Sequence, residues 1–196
     1  MKKLLLPLLL LPFGAFAQSD TLYVKGGTKY AVTITDVGRE RIQFITESGK
    51  SSMSKSSLDR YYVAPKTSPE SKDNAIYIET TDAAEVAYMK MGRLLADSGW
   101  PIANSNKDFG TITTGERPTK GFIDALILNI SITAGDKTKI IITGTYDAAD
   151  YQISGFATNN KGFIEYREFG ALKKAWDEMD SIARSYEGGK VLYGKK

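Results

Sequence analysis

Ile76-Tyr77-Ile78-Glu79-Thr80, then Asp82 to Gly99-Trp100-Pro101, then Asp108-Phe109-Gly110-Thr111-Ile112-Thr113-Thr114-Gly115, then Phe122 to Thr133: this succession decides the fold of the 196-residue chain. The first piece is a short strand. In the second, Ala84, Ala87, Tyr88, Met91, Leu94 and Leu95 recur at spacings of three and four, which gives a helix one apolar face. Asp82 with Glu85 three residues on reads as a capping-box pair at its start. Gly99 suits a left-handed C-terminal cap, Trp100 can fold back on Leu95, and Pro101 forbids continuation. Tyr88, Met91 and Trp100 read as core rather than as the lining of a ligand pocket.

The fourth piece alternates. Leu126, Leu128, Ile130 and Ile132 share one face, while Ile127, Asn129, Ser131 and Thr133 share the other. Ala134 to Lys137 turns the chain and Ile140 to Tyr146 returns, so an antiparallel sheet covered on one side is predicted. Ser105 to Asp108 and Gly115 to Gly121 read as turn and loop. Asp147 to Asp150 and Thr158 to Gly162 also read as loop, with a short strand over Tyr151 to Phe156. Helical spacing resumes after Arg167 through Leu172, Trp176, Met179, Ala183 and Tyr186, and Gly188-Gly189 stops it. Lys190 to Lys196 reads as a frayed tail.

Working outward, residues 20–64 are a β-meander. Leu22 and Val24, then Tyr30, Val32 and Ile34, then Ile42 and Phe44 alternate between turns at Lys25-Gly26-Gly27-Thr28, Asp36-Val37-Gly38 and Glu47-Ser48-Gly49-Lys50. A strand over Ser51 to Lys55 and one helical turn over Ser56 to Arg60 lead to Tyr61-Tyr62-Val63. Closing such a sheet into a small barrel removes its edges. Between Lys25 and Lys66, eight basic residues face four acidic ones, and this scatter reads as an ordinary solvated surface. Residues 65–73, polar with two prolines, read as a linker to a second domain over 74–196.

The chain opens Met1-Lys2-Lys3, runs through leucines to Leu11, and reaches Ala15-Phe16-Ala17. A basic start, a short apolar run and small residues before a cut are those of a secretory signal peptide over residues 1–17. The expected address is the periplasm or the extracellular space, with no stable membrane span after cleavage. The formal charge is +3, and cleavage takes Lys2 and Lys3 with it, leaving +1. A chain so near neutrality does not call for nucleic acid as a partner.

There is no cysteine and no histidine. Disulfides, thiolate or imidazole metal sites, cysteine nucleophiles and histidine bases are therefore excluded. Asp177 and Asp180 share a helix face, but Lys173 and Lys174 stand four residues before Asp177 and Glu178, so surface ion pairs account for them. Asp147 and Asp150 form no recognisable catalytic pair. Gly110 to Gly115 is too rich in β-branched residues for a phosphate loop. No enzyme, no cofactor and no metal are expected.

Lys25-Gly26-Gly27, Val37-Gly38 and Ser57-Leu58-Asp59 resemble the turns of small SH3-like or Sm-like barrels, which implies a binding or packing module. Leu94-Leu95 to Trp100, Asn106-Lys107-Asp108-Phe109-Gly110 and Thr111-Ile112-Thr113-Thr114 resemble helix-grip or TBP-like periplasmic domains, those of BamC type and a bacterial envelope family of unknown function. That likeness implies a protein-interaction or ligand-holding role. The expectation is an α+β chain: a small N-terminal β-barrel, then an antiparallel sheet gripping one helix, with a long C-terminal helix. Its expected function is that of a non-enzymatic envelope scaffold contacting a protein through the sheet/helix cleft. The alternative is a carrier of a lipid or other hydrophobic ligand between the sheet and the last helix. The candidate partner-binding residues are Asp108, Phe109, Thr111, Thr113, Glu116 and Arg117.

Overall fold

The computed structural model describes residues 19–118, 123–148 and 160–196. The readings of residues 1–17, 119–122, Ala149-Asp150, Tyr151 to Phe156 and Thr158-Asn159 lie outside the described residues. The chain is α+β, with two helices, and every strand ladder among the described residues is antiparallel. Its contacts divide it into two compact units, residues 1–64 and 65–196.

The first unit is a five-stranded meander: β1 (Asp20–Val24), β2 (Lys29–Val37), β3 (Arg41–Thr46), β4 (Gly49–Ser54) and β5 (Leu58–Tyr62), in the order β4-β3-β2-β1-β5. Gly26 and Gly27 both have positive φ, which is why the β1–β2 turn carries this glycine pair. The strand β2 does not stop at Asp36 but runs to Val37, with a bulge between Ile34 and Asp36 that keeps it paired to β3. A 3-10 turn, Lys55–Ser57, replaces the helical turn expected over Ser56 to Arg60 and sends β5 back to pair with β1. Leu22, Val32, Ile34, Ile42, Phe44 and Leu58 make the core. Asp20 was missed by pattern reading. It is buried, and its two carboxylate oxygens accept the peptide N–H of Ile34 at 2.6 Å and of Ala64 at 2.7 Å, joining the middle of β2 to the end of the unit.

In the second unit β6 (Ala75–Thr80) leads to α1 (Ala84–Asp97). The hairpin of β7 (Ile102–Asn106) and β8 (Thr111–Thr114) follows, then the two-residue β9 (Arg117–Pro118). The long strands β10 (Ile123–Thr133) and β11 (Thr138–Ala148) come next, then β12 (Asn160–Phe163), α2 (Ala171–Arg184) and β13 (Gly189–Gly194). The sheet order is β13-β6-β11-β10-β8-β7, with β12 beside the far end of β11 and β9 beside the far end of β10. Register aligns Ile112, Ile130, Ile142, Ile76 and Tyr193 in one row across five strands, and Ile132, Ile140, Ile78 and Val191 in the next. Both helices cover this face. Met91 and Leu95 of α1 and Trp176, Met179 and Ile182 of α2 are buried in the same core.

Further expectations need correction. Asp82 does not cap α1: the N-cap residue is Ala83, with no side-chain cap, because the Asp82 carboxylate is held by Tyr186 and Lys90. Residues 190–194 are no tail but the strand β13, in register with all six residues of β6, so the sheet is gripped by two helices and ends on a strand. Asn160 to Gly162 and Asp147-Ala148 belong to the paired strands β12 and β11, Ser105-Asn106 to β7 and Arg117-Pro118 to β9, rather than to turns or loops.

The stretch 65–73 is fastened to the second unit. Lys66 and Tyr193 exchange two peptide hydrogen bonds of 2.7 Å, Tyr166 N–H donates to the Asp73 carbonyl at 2.7 Å, and Lys72 N–H donates to the Tyr166 carbonyl. The end of α1 forms as its residues dictate. Gly99 sits at φ +74°, its N–H bonds to the Ala96 carbonyl, and Trp100 N–H reaches back to the Leu95 carbonyl at 2.9 Å.

Candidate functional site

The six candidate residues lie along β8 and its flanks, and the strand separates them. Phe109 is 78% exposed in the turn between β7 and β8, where its N–H is held by the Asn106 side chain at 3.1 Å. Asp108 and Thr111 are exposed beside it. Gly110 (φ +61°) allows the turn to lie against β10: its carbonyl accepts Ile132 N–H at 2.7 Å, and a Cβ there would collide with the Ile132 carbonyl oxygen. Thr113 faces away from the helices and donates to Asn129 Oδ1 at 3.2 Å. At the other end Arg117 lays its guanidinium on the Trp100 ring, 4.7 Å from the centroid, bonds to the Ser98 carbonyl and pairs loosely with Glu178 at 3.8 Å. Arg117 thus secures the end of α1 to α2, while Phe109 points to solvent.

Glu116 belongs to a different feature, a groove of about 260 Å³ where β10 and β11 extend beyond their neighbours. Ile127, Thr145, Tyr146 and Phe163 form its apolar wall, and Phe163 is 67% exposed. Asp147 and Lys161, paired at 3.0 Å, close its rim. Sequence reasoning missed Phe163, which lies in the stretch left without an assignment.

A third feature lies on the helical side. Val86, Met89, Lys90, Arg93, Leu94 and Asp97 of α1 face Ser185, Tyr186 and Glu187 after α2 across a groove of about 380 Å³. Val86 and Met89 are 46% and 48% exposed, one helical turn apart on the side of α1 away from Ala87 and Met91. The helical period pointed to the buried stripe, and these two apolar residues outside it were the available signal.

A polar cluster fixes one wall of that groove. Tyr186 hydroxyl donates to Asp82 Oδ2 at 2.8 Å, and Lys90 Nζ donates to the same oxygen at 3.2 Å and to the Glu187 carbonyl at 2.5 Å. The bonds from Tyr186 and then Lys90 hold the Asp82 carboxyl below its usual range, while burial, helped by Asp82, pushes the Tyr186 phenol up. A second cluster ties β13 to α2. Tyr193 donates to Asp180 at 2.7 Å, Arg184 donates to Asp180 at 2.6 Å and to the Tyr193 oxygen at 2.5 Å, and burial drives the Tyr193 phenol up to about 12. Phenols so held stay neutral and act as hydrogen-bond donors, a structural use rather than an acid–base one. Among the described residues no group of three or more acidic side chains is placed to hold a metal, and no helix is long and apolar enough to cross a membrane.

No family model matches the chain, and no curated protein matches it in sequence.

Proposed function

We propose that the chain is an exported, non-enzymatic binding or scaffold protein of the bacterial cell envelope, and that the groove between α1 and the end of α2 receives a protein partner. In this reading residues 1–17 are a signal peptide removed on export. The first unit is a closed SH3-like barrel, and the second is a helix-grip or TBP-like domain. The observation that carries the partner groove is the pair Val86 and Met89, half-exposed on a helix whose other side is fully packed. Around them Lys90, Arg93, Asp97 and Glu187 form a polar rim, the pattern of an apolar centre within a charged border that protein interfaces use. Closure of the first unit is supported by Asp20, whose carboxylate draws together β2 and the residue that follows β5.

The carrier alternative puts a ligand between the sheet and α2, and that space holds Leu126, Trp176 and Met179, each at most 2% exposed. This filled layer favours the surface groove. The test is a photo-crosslinking residue placed at Met89 and, as control, at Lys137 on a distant turn, in cells carrying the intact envelope. A discrete adduct from position 89 alone, lost on Val86→Asp, supports the reading. The same pattern from both positions sinks it.

A further inference from the structure

The two units treat their cations differently. Every ion pair among the described residues lies in the second unit. The seven cations of the first unit (Lys25, Lys29, Arg39, Arg41, Lys50, Lys55, Arg60) have no carboxylate partner among the described residues, although Asp36, Glu40, Glu47 and Asp59 are in the same unit. On an ordinary solvated surface of mixed sign, some of these would pair.

Two of the unpaired cations share a concavity. Ile42 and Phe44 point into the core, so Arg41 and Gln43 of β3 stand on the outer face. There Gln43 pairs in register with Ser52, and Lys50 with the outer-facing Ile45. Arg41, Gln43, Lys50, Ser51 and Ser52 line one shallow groove that contains no carboxylate. Arg41 is aimed rather than loose: its Nε and Nη2 donate to Ser52 Oγ at 3.2 and 2.8 Å and Nη2 also to the Ser52 carbonyl at 3.3 Å, so that Nη1 is its one nitrogen without a partner among the described residues. Asp36, opposite Gln43 on β2, has its carboxylate turned toward Gly38, where a Cβ would lie 3.6 Å from Oδ2.

We propose that this groove is a subsite for an acidic polysaccharide, with Arg41 and Lys50 receiving a carboxylate or phosphate group on the chain. Gln43 and Ser52 receive the sugar hydroxyls beside it. The fixed guanidinium presents Nη1 to one oxygen of the acid group, and the adjacent ammonium adds a second charge. The concave, hydroxyl- and amide-lined floor receives a polymer strand that can enter it rather than the flat headgroup plane of a bilayer. Outside the groove, toward the other end of β2, Tyr23 lies between Arg60 at 4.3 Å and Lys29 at 5.4 Å from its ring centroid. A sugar ring with a neighbouring acid group could use this second landing point. The proposal concerns the first unit alone and stands or falls separately from the partner groove on the second.

The experiment is affinity electrophoresis of the full chain through gels containing polygalacturonate, with dextran as the neutral polymer. Flotation with phosphatidylglycerol/phosphatidylcholine vesicles is run in parallel. Retardation by polygalacturonate, relieved by salt and absent with dextran, is expected. The double substitution Arg41→Gln/Lys50→Gln should weaken it about tenfold, the scale of losing one hydrogen bond to a charged group. Lys139→Gln/Lys190→Gln in the second unit, an equal change of net charge, should leave it unaltered. Matching thermal melts check that the variants are folded. Absence of retardation, equal retardation of the Arg41/Lys50 variant, equal weakening by the Lys139/Lys190 variant, or preference for vesicles over the polymer would each overturn the proposal.

Discussion

Among the described residues the core cluster of the first unit has six buried apolar side chains beside one buried carboxylate, and that of the second has 21 residues under two helices. The difference extends to charge. In the second unit eight ion pairs form among the described residues, Lys173–Asp177 and Arg184–Asp180 among them, whereas the first leaves its cations to tyrosine rings, serines and solvent. A small β-unit has little apolar area to bury, so its stability rests on few residues while its surface remains free for binding. The larger unit can spend surface on cross-ties because its core already suffices.

Core truncation should expose this contrast most strongly. Leu22→Ala removes about 2–5 kcal/mol, comparable with the whole stability of so small a unit, and Trp176→Ala removes about 3–5 kcal/mol from the larger one. Hydrogen exchange should show residues 20–64 unprotected in Leu22→Ala with the second unit unchanged. Trp176→Ala should lower the second transition without abolishing it. If both substitutions melt the chain in a single shared transition, the two units are not independent.

Asp20→Ala comes next, since each buried N–H left without an acceptor costs about 1–3 kcal/mol. A urea midpoint for the first unit that matches the parent would deny Asp20 its stapling role. In the second unit, Gly110→Ala meets both a positive φ and the Ile132 carbonyl. About 1–3 kcal/mol is expected, read as loss of protection in the β7–β8 hairpin.

Acid provides a finer probe. The Asp82 pKa is depressed by Tyr186 and Lys90, so its contribution is complete above the ordinary carboxylate value of 3.8 and lost as pH falls through the lower folded value. Tyr186→Phe should flatten that acid limb of the second unit's melt. Asp73 works the other way. Burial raises its pKa, so it penalises the folded state when ionised, and Asp73→Asn should hold or raise the melting temperature at neutral pH. Smallest of all, Lys173→Gln should cost about 0.3–0.5 kcal/mol, within the range of an exposed i,i+4 pair, and vanish in high salt.

Much of this was legible where the determinant was local. The Gly99-Trp100 stop and the alternating face of β10 are written within a few residues, and the structure follows them. Asp82 misled because its local pattern with Glu85 was right for a cap, while its actual partner, Tyr186, is 104 residues away. The strand β13 was lost for the same reason: Val191-Leu192-Tyr193 is apolar enough to be a strand, but only pairing with β6 at the other end of the unit makes it one. The candidate site was legible as composition and not as geometry. Phe109 and Arg117 are eight positions apart, yet a strand holds them at opposite ends, and the exposed side of α1 emerges only once its buried side is known.

The place of β13 also governs when the second unit can be completed. Its first strand, β6, is flanked on one side by its last, β13, and Asn74 closes on that same end through Gly194 and Lys196. Until β13 docks, Ile76 and Ile78 lack one neighbour and β6 is an unguarded edge. The first strand of the unit therefore waits for its last, a pairing of high sequence separation that slows folding and makes completion of the sheet one cooperative step.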